Sequence, residues 1–409
     1  MSHNAFDFVI VGAGIVGLTV ADVLMGRFAN SRIAVLDKEA KPALHASGRN
    51  SGVMHCGIYY GSDTLKARVC SVGARRMQAF ALENGIAYSR SGKVILATSE
   101  EQLSTIERLL KNARDNGISA ERIDQHQLHE IEPYAAIGPA AIHCPDTAVI
   151  DGLAVVEHLY RRLEKHGVRF FFNCRMTGLR GKGQINTSQG LIHYGFLYNC
   201  AGAHADTVAK SFGLAECYAL VPFKGIYWKL SANANSRVRA NIYPVPDVSL
   251  PFLGVHLTRV INGDVYVGPT AIPAFGRENY GKFQWTPFSE AAGIAIELMQ
   301  MYMRNESNFR TLAHTELAKY WKKNFLAAAR RLVPSLEGED MIPTSKVGIR
   351  PQLVNTRTRT LEMDYIILRG EDSLHVLNAI SPALTSSFAF SQIIVDTGCE
   401  IPAWGTLSG

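Results

Sequence analysis

The seven cysteines of this 409-residue chain, at 56, 70, 144, 174, 200, 217 and 399, form no CxxC pair. That scatter excludes the usual zinc and iron–sulfur patterns and any dense disulfide framework, and it suits a reducing compartment. Basic clusters are also missing: the net charge is +6, but Lys and Arg are spread along the chain. Nucleic-acid binding is therefore not expected, whereas an anionic substrate or an anionic membrane face would suit a mildly basic surface. No internal repeat or low-complexity tract occurs. The most apolar stretch, FDFVIVGAGIVGLTVADVLM at 6–25, contains Asp7, Asp22 and several glycines and has no basic segment before it. It reads as a buried strand and helix, not as a membrane span or secretion signal, and points to a cytoplasmic protein.

What is present is a chain with 47% hydrophobic and 19% charged residues, enough for two domains. An apolar run at 6–11 meets Gly12-Ala-Gly14-Ile-Val-Gly17, then a helical stretch to about 28, then the strand RIAVLDKE ending at Asp37. This is GxGxxG in a βαβ context. The first glycine allows the tight turn, the second lets a pyrophosphate approach, and the third lets helix and strand pack closely. Asp37 stands where a carboxylate takes ribose hydroxyls. Helices are expected at 64–84, 100–116, 125–131 and 151–167, and from 288 to 332. Strands are expected at KVILAT, VRFFFN and FLYNC, which runs into AGAHAD (201–206). From 216 the texture turns to β (GIYWKL, ANIYPVP, LGVHLTRV, DVYVGP), with Asn262-Gly263 as a type I′ hairpin signal. YIILRG and LHVLNAI then lead into a loop and a final helix. The stretch HASGRNSGVMHCGIYYG at 45–61 fits neither period and reads as a functional loop.

Nucleotide-type segments at the start, middle and end flank β-rich and helical insertions. The class is therefore α/β, a Rossmann-like domain at 1–85, 145–215 and 340–409 with a discontinuous β-rich substrate domain at 86–144 and 216–339. The buried FLYNC strand, far from the fingerprint, favours FAD over NAD. A single GxGxxG suggests that electrons come directly from a bound substrate.

SGRNSGVMHCGIYY (47–60), LKARVC (65–70), NCAGAHAD (199–206), PFKGIYWKL (222–230), FLGVHLT (252–258), VYVGPTAIPAF (265–275) and LNAISPALTSSFAFS (377–391) occur in order. Together they resemble the L-2-hydroxyglutarate oxidase/dehydrogenase family, within the FAD-dependent D-amino-acid-oxidase and glycerol-3-phosphate-dehydrogenase-like superfamily. The resemblance implies non-covalent FAD and hydride transfer from C2 of L-2-hydroxyglutarate to flavin N5, giving 2-oxoglutarate, with oxygen or a quinone as acceptor. Two residues depart from the family pattern: Asp37 stands where Glu is commoner, and Lys224 where Arg is. Rival readings are a flavoenzyme for glycerol 3-phosphate or an amino or imino acid, and a flavin-binding scaffold or RNA-modification factor.

Such chemistry needs a base and a carboxylate anchor. His55 and His256, both in blocks that carry the resemblance, are the candidates for base and substrate contact. Arg350 in VGIRPQ suits a carboxylate bidentately, with Lys224 as a second cation and Tyr59 and Tyr60 as substrate contacts. Cofactor contacts carried by the resemblance and the fingerprint are Gly12, Gly14, Gly17, Asp37, Lys38, Ser47, Arg49, Asn50, Ser51, Ala201, Gly202, Ser381, Ala383, Leu384 and Thr385. His45 is expected near the phosphates. Cys56 reads as an inert small hydrophobe. His126, His129 and Glu130 read as a solvated helix face, so no metal is expected. KYWKKNFLAAARRLV at 319–333 reads as a basic amphipathic helix with Trp321, Phe325 and Leu326, offering peripheral contact with an inner-membrane face.

Overall fold

The computed structural model describes residues 4–247, 252–281 and 286–399. Ala5–Val11 and Ile33–Leu36 are short apolar strands, and the second is buried at every position. Strands of that kind belong in a parallel sheet covered on both faces. Ala5–Val11 pairs in parallel with Ile33–Leu36 on one side and with Gly190–Asn199 on the other. Arg169–Phe171 and Ser373–Leu377 extend the parallel core outward, and an antiparallel meander over 176–199 together with Ile366–Arg369, antiparallel to Ser373–Leu377, completes eight strands.

The helix Ile15–Arg27 carries nine buried residues and packs against Gly152–Lys165 and the last helix, Ala383–Gly398. Ala383–Gly398 lies closely on Leu65–Glu83: a Cβ at Gly73 would fall 2.5 Å from Ser386 Cα. Arg27 at the end of the first helix pairs with Asp396 and donates to Gln392 at 2.5 Å, closing that layer.

The second sheet has ten strands, with Lys93–Ala97, Asn241–Pro244, His256–Arg259, Val265–Gly268, Tyr218–Leu230 and Met341–Asn355 side by side. Met341–Asn355 pairs with Tyr218–Leu230 along nearly its whole length, so this sheet takes its last long strand from beyond residue 340. His256–Arg259 and Val265–Gly268 form the hairpin signalled by Asn262-Gly263, but not through a type I′ turn. Only Gly263 of that pair has a positive φ (86°), and Val260 and Asp264 close a longer loop.

The loop at 45–61 carries more structure than its sequence signals. Ala46–Gly48 is a 3-10 turn, and Val53–Met54 pairs with Ala148–Ile150 in a three-stranded sheet with Tyr88–Ser89. The helical region is also divided, into Phe288–Arg304, Phe309–Ala318 and Lys322–Arg330. The basic segment 319–333 is consequently not one helix. Phe325 is 0% exposed in the core of the large sheet and Leu326 packs against that core, while Trp321 is 67% exposed. Of the three apolar residues expected to meet lipid, Phe325 and Leu326 are spent inside the protein and Trp321 is exposed. No helix among the described residues is long and apolar enough to cross a membrane.

Candidate functional site

A cavity of about 350 Å³ lies between the two sheets and reaches from Asp37 and Cys174 to His55, His256 and Arg350. Its nucleotide end is shaped by backbone geometry. Gly12 has φ +111° beside Cys200, and a Cβ on Gly17 would collide with the Gly12 carbonyl oxygen. Gly12 and Gly14 line the cavity, whereas Gly17 lies beneath them as the packing glycine. Gly14, the N-cap of Ile15–Arg27, has no side chain with which to cap the first turn, and Ser47 Oγ accepts the Ile15 N–H at 2.9 Å. A helix start that opens on a cavity, with only Ile15 N–H taken by Ser47, is the arrangement that takes phosphate.

Asp37 is held by the N–H groups of Ala13 (2.7 Å) and Glu39 (2.9 Å). Burial raises its pKa, and those two hydrogen bonds oppose the rise. Lys38, Ser47, Arg49, Asn50, Ser51, Ala201, Gly202, Ser381, Ala383, Leu384 and Thr385 all line the same cavity. Such a cradle fits a dinucleotide: glycine backbone, open N–H groups and a fixed carboxylate at one end, and a second helix start, at Ala383, at the other.

A segment that sequence reasoning missed crosses this end. Arg277, Glu278 and Tyr280 come from the substrate side and line the cavity. Arg277 donates to Asp206 and, at 2.7 Å, to Ala203 O; Glu278 pairs with Lys38 at 2.5 Å and His204 at 2.8 Å. The Tyr280 hydroxyl meets His45 Nδ1 at 2.9 Å, and the Arg49 guanidinium lies 4.0 Å from the Tyr280 ring centroid. No local pattern marks these residues, because each acts on a partner far away in the chain. Glu39, His45 and Glu278 bring their ligand atoms within 4.8 Å of one another. That cluster already holds a cation, since the Lys38 ammonium is paired with both carboxylates.

Among the described residues, Asp37, Glu39 and Glu278 are the only acidic ones lining the cavity, and all three stand at the nucleotide end. The other end is formed by His55, Tyr227, Tyr243, His256 and Arg350. His256, on the strand His256–Arg259, stacks on Tyr243 with centroids 3.9 Å apart, and its Nδ1 meets Gly254 O at 2.9 Å. A carbonyl partner requires a proton on Nδ1, which leaves Nε2 as the acceptor of the neutral ring. The His55 main chain is fixed on both sides: its N–H donates to Thr385 Oγ1 at 3.2 Å and its carbonyl accepts from Cys70 Sγ at 3.3 Å. Burial pushes both histidines down to about 3, with nearby cations adding to the effect, so both rings are neutral at pH 7.

Arg350 sits opposite Phe223 in the long strand pair, its guanidinium 6.0 Å from the Phe252 ring centroid. No carboxylate among the described residues pairs with it. Lys224, expected as the second cation, does not line the cavity: its Nζ donates to Asn279 Oδ1 (3.0 Å) and Gly281 O (2.8 Å). Tyr59 and Tyr60 also lie outside the lining. Tyr59 faces the Lys93 ammonium at 4.5 Å, and the Tyr60 ring lies 5.7 Å from Lys66 Nζ. The fold thus brings together His55, His256 and Arg350, and it adds Tyr227 and Tyr243. Those two tyrosines lie in the strands predicted at GIYWKL and ANIYPVP, where alternation marked the strands and left open which face meets a cavity.

A family model described as FAD dependent oxidoreductase matches residues 7–397. The chain is 36% identical over 401 residues to an L-2-hydroxyglutarate dehydrogenase of Indibacter alkaliphilus, covering 97% of this chain and 98% of the relative. It is 33% identical over 420 residues to the human mitochondrial L-2-hydroxyglutarate dehydrogenase, covering 97% and 89%. Among solved structures, the FAD-bound L-alpha-glycerophosphate oxidase of Mycoplasma pneumoniae superposes with a TM-score of 0.76 at 19% identity, over 98% of this chain and 95% of the other. Glycine oxidase of Geobacillus kaustophilus does so with a TM-score of 0.72 at 16% identity, over 98% and 96%.

Proposed function

This chain belongs to the family of FAD-dependent oxidoreductases, and we propose that within it the chain oxidises L-2-hydroxyglutarate to 2-oxoglutarate. The substrate follows the relatives named for it. The observation that carries the reaction type is a guanidinium, Arg350, with no carboxylate partner among the described residues, in one cavity with two neutral histidines and the dinucleotide cradle. Bound FAD supplies the two-electron acceptor for the hydride that leaves C2.

The protein's part is to hold and deprotonate the substrate. Arg350 anchors a carboxylate, because its forked N–H groups match two oxygens and no acid among the described residues competes for them. His256 is the base: Gly254 O holds the proton on Nδ1, so Nε2 accepts the hydroxyl proton as C2 is oxidised. His55 stands in the same end of the cavity as the contact for the substrate hydroxyl. Tyr227 and Tyr243 line this end beside the two histidines. A phosphate monoester, the charge demand of glycerol 3-phosphate, would call for more cations than this end presents.

The test is anaerobic. L- and D-2-hydroxyglutarate, lactate, malate and glycerol 3-phosphate are added separately while the flavin absorbance is followed. L-2-Hydroxyglutarate should bleach the flavin fastest. Bleaching by another compound alone would remove the substrate assignment. Reoxidation of the bleached protein by air, or by a soluble quinone under argon, then tells oxygen from a quinone as acceptor.

A further inference from the structure

One buried charge has no part in the site described so far. Lys93, in the strand Lys93–Ala97, is fully buried, yet no carboxylate among the described residues lies within ion-pair distance of it. Its ammonium meets Cys56 Sγ at 3.8 Å, the Tyr59 ring at 4.5 Å and the Tyr243 ring at 5.4 Å. Thiol and ring faces replace only part of the water an ammonium loses on burial. A cation held at such a disadvantage is expected where function requires it.

Its position supplies the requirement. Tyr243 lies against Lys93 on one side and is stacked on His256 at 3.9 Å on the other. Cys56, the sulphur beside Lys93, directly follows His55 in the chain. We propose that Lys93 is a positioning residue for the reaction: a fixed positive charge, one ring behind His256 and one residue behind His55, that adds to burial in disfavouring a proton on both rings, so that the substrate hydroxyl's proton keeps an acceptor further into acid. The proton passes to His256 Nε2 and the hydride to bound FAD, so Lys93 exchanges neither proton nor electron. The inference rests on the histidine roles assigned above.

The groups facing these rings agree with that role. Around His55 the charged or titratable neighbours are Lys93, His256 and Arg350. Around His256 they are Arg350 and Lys93, with Tyr243 stacked against it and Gly254 O opposing. Lys93 itself faces Cys56, Tyr59, Cys144 and Tyr243, all of which favour its charged form, while burial opposes it. The competing assignment is structural, with Lys93 present only to pack against the Cys56 sulphur.

The two assignments separate in the pH dependence of kcat/KM, measured with FAD-loaded enzyme. Removing a nearby cation makes a histidine easier to protonate. In Lys93→Met the acidic limb should therefore move to higher pH by about one unit. Lys93→Arg, which keeps the charge, should hold the limb at its wild-type position. Cys56→Ala, which removes the sulphur and keeps the charge, should also hold it. A Lys93→Met limb at the wild-type pH overturns the proposal, as does a Cys56→Ala shift as large as that of Lys93→Met. Should Lys93→Met fold poorly, Lys93→Gln is read by the same criterion. Wild-type flavin that no 2-hydroxy acid bleaches would sink the assigned reaction, whereas an unmoved limb in an enzyme that does bleach sinks only the role of Lys93.

Discussion

His256 and Arg350 divide the chemistry between a proton acceptor and an anchor, and each leaves a separable kinetic trace. His256→Ala removes the oriented Nε2, and anaerobic flavin bleaching by substrate should slow by about 10² or more. His55→Ala should weaken substrate binding more than it slows bleaching at saturation. Equal rate losses in the two variants would mean that the base is not assigned by the Gly254 contact. Arg350→Lys keeps the charge but loses the fork, so KM should rise roughly tenfold with a smaller change in the saturated rate. His55 and His256 could be singled out in the sequence because their blocks carry the family resemblance, and Arg350 because its fork suits a carboxylate. Lys224 was equally prominent and is tied instead to Asn279 and Gly281. A lysine in a strand shows its charge in the sequence but not which acceptors its long side chain will reach.

At the scale of elements, the segment that carries Arg277, Glu278 and Tyr280 fastens the substrate side onto the nucleotide side. Arg277 is the strongest fastening: its guanidinium takes both oxygens of the buried Asp206, with Nη2 to Oδ2 at 2.8 Å. The Arg277 and Leu220 hydrogen bonds and charges hold Asp206 below the usual carboxylate range against the effect of burial. Arg277→Ala leaves that carboxylate buried and unpaired, a change that costs about 3–5 kcal/mol for such pairs. FAD should then leave the protein at least tenfold faster, read from the rise in flavin fluorescence on dilution. Retention equal to wild type would make this segment a feature of the fold with no hold on the cofactor. The elements beneath it were read correctly in the βαβ start, where the glycine spacing determines turn, helix and strand within a few residues. The hairpin at 256–268 was recognised, but its turn was not: one residue with positive φ, Gly263, cannot build a type I′ turn.

For the whole molecule, the neutral histidines make a statement about stability. His55 and His256 ionise near 6.5 when the chain is unfolded but are pushed down to about 3 in the fold, burial being the main cause. Between those values the unfolded chain binds more protons than the native one, so stability must fall as pH drops from about 6.5 toward 3. His375, buried and pushed down to about 4, acts in the same direction. Thermal melts of the FAD-loaded protein should show Tm declining below pH 6.5, and less steeply in His55→Ala/His256→Ala. An unchanged slope in the double variant would place the lost protons elsewhere. Catalysis, by the same depressed values, should show no acidic limb near 6.5.

The sequence by itself determined the nucleotide fold, the cofactor cradle and the two histidine blocks. The βαβ start follows from interactions a few residues apart, namely glycine conformation, strand hydrophobicity and the opening of a helix, whereas the rest of the cradle and the histidine blocks were marked by the family resemblance. Tertiary structure alone decided which of the polar side chains share a space. His256, Tyr243, Lys93 and Arg350 lie on four strands of one sheet, and strand order and register bring Tyr243 between Lys93 and His256. A one-residue slip in any of those strands would turn its side chain to the opposite face. The register is held by the packing of the whole sheet, and no short stretch of sequence records it. The loop at 45–61 shows both sides of that division. His55 could be read from its block, whereas the neighbours of Cys56, among them Lys93 and Cys144, are folded against it from other strands.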